Sequence, residues 1–166
     1  MVFCLQKQST LKNIKGNKMT TLNKSKKALV HVTGMQFSQD IVDGEDKIEN
    51  VMPGSCQKIG DFYYIKYEEM QEGFTEKTEV LLKVKPGYLE MVKKGLTNVN
   101  MIIEAGQMHQ TNYTTPFGNL LFSVRGKNVA VGDDEKGIHV RAKYSMDINY
   151  EYLSENDIYI EAEYVC

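Results

Sequence analysis

Between Gly137 and Tyr150 the chain alternates apolar and polar residues without a break. Ile138, Val140, Ala142, Tyr144, Met146, Ile148 and Tyr150 fall on one side; His139, Arg141, Lys143, Ser145, Asp147 and Asn149 fall on the other. Successive side chains of a β-strand point to opposite faces, so this run predicts a strand with one buried face. A helix would scatter the same residues around its circumference and leave no stripe to bury.

The same period recurs over residues 29–37, 55–59, 62–69, 77–85, 88–93, 99–105, 107–114, 120–125 and 157–165, which makes about ten strands. Turn chemistry separates them at Gly60-Asp61, Pro86-Gly87, Lys94-Gly95, Gly106, Pro116-Phe117-Gly118 and Gly132-Asp133-Asp134. Connections this short permit hairpins, whereas parallel strands need crossovers of a dozen or more residues. An antiparallel meander with one apolar face hides that face and its edges most simply by closing on itself, so the expected fold is all-β: an antiparallel up-and-down barrel of 8–10 strands. A two-sheet sandwich is the alternative that strand count and alternation leave open. Residues 40–50, with five acids and Gly44, read as a loop or ragged edge.

Of the 20 basic residues, seven lysines lie in residues 1–27, where there is no acid; all 22 acidic residues lie in the remainder. Residues 1–27 are therefore expected to be a basic, disordered tail and residues 28–166 the folded domain. Lys15-Gly16-Asn17-Lys18 take purine-rich codons resembling a ribosome-binding site, so Met19 is an alternative expected start. Basic arms grip phosphates, but this one lacks arginine and precedes an acidic body, which argues against nucleic acid as a partner. No apolar run is long enough to cross a bilayer, and the first residues are too polar for a secretory signal. A cytoplasmic protein without membrane association is expected. Cys4, Cys56 and Cys166 form no Cys-x-x-Cys pair, so reduced thiols are expected.

The inward set of the expected barrel contains Tyr63, Tyr67, Tyr113, Tyr144, Tyr150 and Tyr164 among aliphatic residues. Their hydroxyls need partners, which neighbouring side chains, water or a bound molecule can supply. Glu69 should face inward near the barrel's end, as a ligand-facing carboxylate or in an end-of-barrel salt bridge. The opposite face of the sheet is expected to carry Tyr64, Ser123, Arg125, Lys93 and Lys94.

Three stretches carry a family resemblance: residues 62–69 (Phe-Tyr-Tyr-Ile-Lys-Tyr-Glu-Glu), residues 113–118 (Tyr-Thr-Thr-Pro-Phe-Gly), and residues 143–149 (Lys-Tyr-Ser-Met-Asp-Ile-Asn) followed by Leu153-Ser154-Glu155-Asn156. Together they resemble the bacterial YwiB-like family, small proteins of unassigned function whose fold is like the calycin, or lipocalin-like, barrels. The resemblance spans residues 28–165, with the Thr-Pro-Phe-Gly turn its most specific part. It implies a calycin-like barrel and, by analogy with the wider calycin group, a place for a small apolar molecule. It brings no catalytic residue.

The three histidines, at 31, 109 and 139, show no metal-ligand spacing, and no Gly-rich phosphate loop is present, so neither a metal nor a cofactor is expected. The reading is a non-enzymatic protein binding a small apolar or amphipathic ligand in its barrel, with Tyr67, Glu69, Tyr113 and Tyr144 as wall residues. The alternative is a structural or regulatory interaction module acting through a strand edge or a homodimer face.

Overall fold

The computed structural model describes residues 24–37, 46–96 and 98–165. It consists of ten strands in chain order: β1 (Lys26–Phe37), β2 (Asp46–Ile59), β3 (Phe62–Met70), β4 (Lys77–Lys85), β5 (Tyr88–Lys94), β6 (Val99–Glu104), β7 (Met108–Thr115), β8 (Gly118–Asp133), β9 (Gly137–Ile148) and β10 (Glu151–Tyr164). They form one antiparallel sheet in the order β6-β5-β4-β3-β2-β1-β10-β9-β8-β7. Since β1 pairs with both β2 and β10, the meander returns on itself, and the two-sheet alternative is excluded.

The two ends of this sheet, β6 and β7, meet without a continuous ladder. Reciprocal Asn98–Thr114 backbone bonds of 3.0 Å join them at one end of the barrel. At the other end Gly126 N donates to Gln107 O (3.0 Å), Gly106 N donates to Gly126 O (3.1 Å), and Gly87 N donates to Val129 O (2.9 Å). The result is a nearly closed barrel.

Inside lie the residues that alternation selects. Ile65, Val80, Leu82, Val84, Leu89, Ile103, Val124, Val140, Ile160 and Ala162 are almost completely buried, and Tyr63, Tyr67 and Tyr144 lie among them. Tyr113 and Tyr164 are partly buried against this core.

Four expectations are corrected. Residues 46–50 are strand, because β1 supplies them with a ladder from Asp46↔Gln36 to Asn50↔Val32 while exposed Glu49 keeps its charge in water; the rest of the expected loop and the basic arm up to residue 23 lie outside the described residues. β8 continues past Arg125 to Asp133 through a bulge between Gly126 and Asn128. The extra residue reverses parity, so that Phe122 and Val124 point inward before it and Val129 after it. Ser123 lies on the outer face, between inward Phe122 and Val124, but is buried there rather than open to solvent, and Gln110 Nε2 donates to its hydroxyl at 3.2 Å.

Tyr150 is the fourth correction, since it is 78% exposed. The inward run of β9 ends at Ile148, and Asn149 (φ 49°) and Tyr150 (φ 68°) form the turn into β10. A two-residue hairpin turn with left-handed φ at both positions matches the twist of the flanking strands. Asn149 suits it, and its side-chain oxygen accepts from Leu121 N at 3.3 Å; an aromatic residue is disfavoured there. Tyr150→Gly is expected to stabilise the domain by about 0.5–1 kcal/mol, read as a higher urea midpoint. An unchanged or lower midpoint would show that the tyrosine side chain contributes contacts of its own.

Candidate functional site

The ladder between β2 and β3 runs only from Ile59↔Phe62 to Gly54↔Tyr67. Beyond it the strands part: β2 stays with β1 and β3 stays with β4. Pro53 stands where the separation begins, and proline has no amide hydrogen to offer a ladder. Gly54 marks the last close approach, since a Cβ there would press on Val30 and Tyr67 at 3.0 and 3.1 Å. The gap is a cleft of about 830 Å³ at the end of the barrel that carries the β3–β4 loop, lined by residues 50–55, 66–71, Lys77 and Lys93. That volume falls in the range of small-molecule sites.

Polar groups converge on the cleft from the inner face. Glu69 lies on the inward row of β3 after Tyr63, Ile65 and Tyr67, and Lys93 continues the inward row of β5 after Leu89 and Met91. Lys93 was expected on the outer face; strand parity carries it inward, where Nζ donates to both Glu69 oxygens at 2.8 and 3.0 Å. The pair is partly shielded, with side-chain exposures of 19% and 28%. Burial, and then the adjacent Glu69 carboxylate that accepts its hydrogen bond, raises the Tyr67 hydroxyl well above the ordinary tyrosine range. On the rim Lys77 donates to Glu68 at 2.8 Å. Apolar surface comes from Val51, Met52, Pro53 and Met70.

The four expected wall residues thus separate. Tyr67 and Glu69 border the cleft together, whereas Tyr113 and Tyr144 do not. Tyr113 packs its ring against buried Phe122 at 4.9 Å. Tyr144 is buried on β9, and burial pushes its hydroxyl up to about 12. Sequence reasoning missed Lys93, although the alternation Leu89–Met91–Lys93 would have placed it inside. The β2 wall carried no signal of its own.

Cys56 is buried and free, and burial raises its thiol against a smaller opposing pull from Lys26. A neutral, shielded thiol is a poor nucleophile. Among the described residues no three His, Cys, Asp or Glu side chains come together to hold a metal ion. No helix among them is long and apolar enough to cross a membrane.

Comparison with known proteins adds the following. The ywiB protein from Bacillus subtilis, in its crystal structure, superposes with a TM-score of 0.74 at 18% sequence identity, over 87% of this chain and 96% of that one. The likeness shows that the two share this barrel fold, and says nothing about activity. No curated protein matches the sequence. A family model described as a domain of unknown function, DUF1934, matches residues 30–160. The protein whose ten strands close into this barrel therefore belongs to the DUF1934 family.

Proposed function

We propose that the domain is a non-enzymatic binding protein that takes a small amphipathic molecule in the cleft between β2 and β3. One observation carries the reading: a cleft of small-molecule volume has apolar walls and ends on an inward-facing ion pair, Lys93–Glu69, backed by the Tyr67 hydroxyl. A ligand's polar end would exchange with one member of the pair while its apolar part covers Met52, Pro53 and Met70. Binding rather than catalysis is favoured because Glu69 is already engaged by Lys93 and Tyr67, and the Cys56 thiol is held neutral by burial. Tyr113 and Tyr144 stay in this reading as lining of the barrel interior beyond the cleft.

The test uses the full chain and two amphiphiles of opposite charge, dodecanoate and dodecylamine, each displacing anilinonaphthalene sulfonate in a fluorescence titration. Saturable binding at one site is expected. Lys93→Met should weaken the carboxylate about tenfold or more, the worth of one charge-assisted hydrogen bond, and Glu69→Gln should do the same to the amine if the carboxylate is the contact. Absence of saturable binding by either probe, or indifference of both to both substitutions, would reject the cleft as a ligand site.

A second reading rests on the same gap. Above Gly54 and Tyr67, β2 and β3 each turn toward the other an edge that their shared ladder does not reach, and an extended peptide can add to such an edge. Peptide binding insensitive to Lys93→Met would favour it.

A further inference from the structure

The outer faces of the barrel differ in kind. On the wall of β1, β10, β9 and β8, cationic and imidazole side chains meet carboxylates: Arg141 with Asp157 (2.8 Å), Lys127 with Glu155, His31 with Glu163 (3.6 Å) and His139 with Asp134 (3.3 Å). On the wall of β2 to β5 Lys77 still pairs with Glu68 (2.8 Å), but toward the β2–β3 and β4–β5 turns the lysines meet aromatic rings. Register sets the outward rows there: Ile59, Phe62, Lys85 and Tyr88 stand side by side, and Gln57, Tyr64, Lys83 and Glu90 form the next row. Lys83 Nζ lies 4.4 Å from the centroid of Phe62, and Lys85 Nζ lies 4.9 Å from Phe62 and 6.0 Å from Tyr88. Phe62 in turn packs near Tyr64 and edge-on to Tyr88, at 6.5 and 6.1 Å. These three rings are only half-buried, so the sheet presents aromatic faces interleaved with ammonium groups to solvent.

We propose that this wall is a binding surface for single-stranded nucleic acid. Aromatic rings on a sheet stack bases irrespective of sequence, and neighbouring lysines neutralise the phosphates. A cation resting on a ring in water is held weakly, so a phosphate can draw it aside and free the ring for a base. Lys66, on the same face of β3, extends the basic track, and Glu90, which accepts from Tyr88 at 3.2 Å, is the one carboxylate in these two rows. The first described residues lead to the same wall, where Ser25 borders a hollow with Ser55, Gln57, Tyr64, Lys66 and Leu81. The acid-rich count of the body argued against nucleic acid, but the fold gathers Lys66, Lys83 and Lys85 beside three aromatic rings, while Glu68 and Glu79 of the same face stand opposite each other farther along β3 and β4.

Fluorescence anisotropy with the full chain and fluorescein-labelled 12-mers of thymidylate and of uridylate tests this. Binding that weakens as salt rises is expected. Lys83→Glu combined with Lys85→Glu should weaken it at least tenfold and flatten the log–log salt slope by about 1.4, two phosphate contacts' worth for a single strand. Tyr64→Ala should weaken it about tenfold through lost stacking. Lys143→Glu, on the far wall, should leave it unchanged, with circular dichroism showing every variant folded. No binding at low salt overturns the proposal, as does binding that survives the paired lysine substitution, which would place it on the tail alone. A concentration-dependent dimer abolished by the same pair, without oligonucleotide binding, would instead make the wall a self-association face and also overturn it.

Discussion

Replacing Gly126 by alanine is expected to destabilise the barrel by about 3 kcal/mol, seen as a fall in the urea midpoint with the slope unchanged. Gly126 sits at the β8 bulge, where its backbone bonds to both Gly106 and Gln107 and so ties β8 to the β6–β7 turn. A Cβ there would come within 2.5 Å of the Glu104 carbonyl carbon and 2.8 Å of Glu104 N. These are backbone atoms, which cannot swing aside as a side chain can. The turn must move outward, at an overpacking cost of about 1–3 kcal/mol, and the two hydrogen bonds it makes with Gly126 add about 1 kcal/mol each if they lengthen. Gly132→Ala is the control, because its Cβ would meet nothing within 4 Å and its φ is not left-handed. If the two substitutions proved equally mild, β8 would not be what closes this end of the barrel.

Ile160→Ala should cost about 3 kcal/mol, while Tyr159→Ala, one position earlier, should change stability by less than about 0.5 kcal/mol. Ile160 is fully buried at the centre of β10, between Val32 on β1 and Val140 on β9. Removing its outer carbons leaves a cavity that a three-strand wall held by ladders on both sides cannot collapse to fill. Tyr159 points outward and is 44% exposed. The pair is a direct test of register, since a shift of one residue would exchange the two faces and invert the result. Equal losses at both positions would refute the pairing of β10 with its neighbours.

Local pattern carried much of this fold. The run from Ile138 to Ile148, the spacing of glycine turns and the shortness of the connections led to ten antiparallel strands, and ten are observed. It failed where partners outweigh local signal. β2 was recognised only from Ser55 because Pro53 and the acids before it resemble a loop, yet β1 holds them in a ladder. β8 was cut at Arg125 because a bulge flips the inward parity. Of the candidate site, Tyr67 and Glu69 were legible as inward residues at a strand's end, while Lys93 was assigned to the wrong face.

Alternation along single strands was sufficient to determine the fold class and most of the inner lining, because whether a side chain faces in or out follows from the two-residue repeat of each strand alone. Which side chains become neighbours was decided only in three dimensions. The cleft exists because two ladders of unequal length share β2, and the lysine-aromatic wall exists because the registers of β3, β4 and β5 place Phe62, Lys85 and Tyr88 in one row. Both depend on hydrogen-bonding between residues far apart in the chain, which no local periodicity encodes.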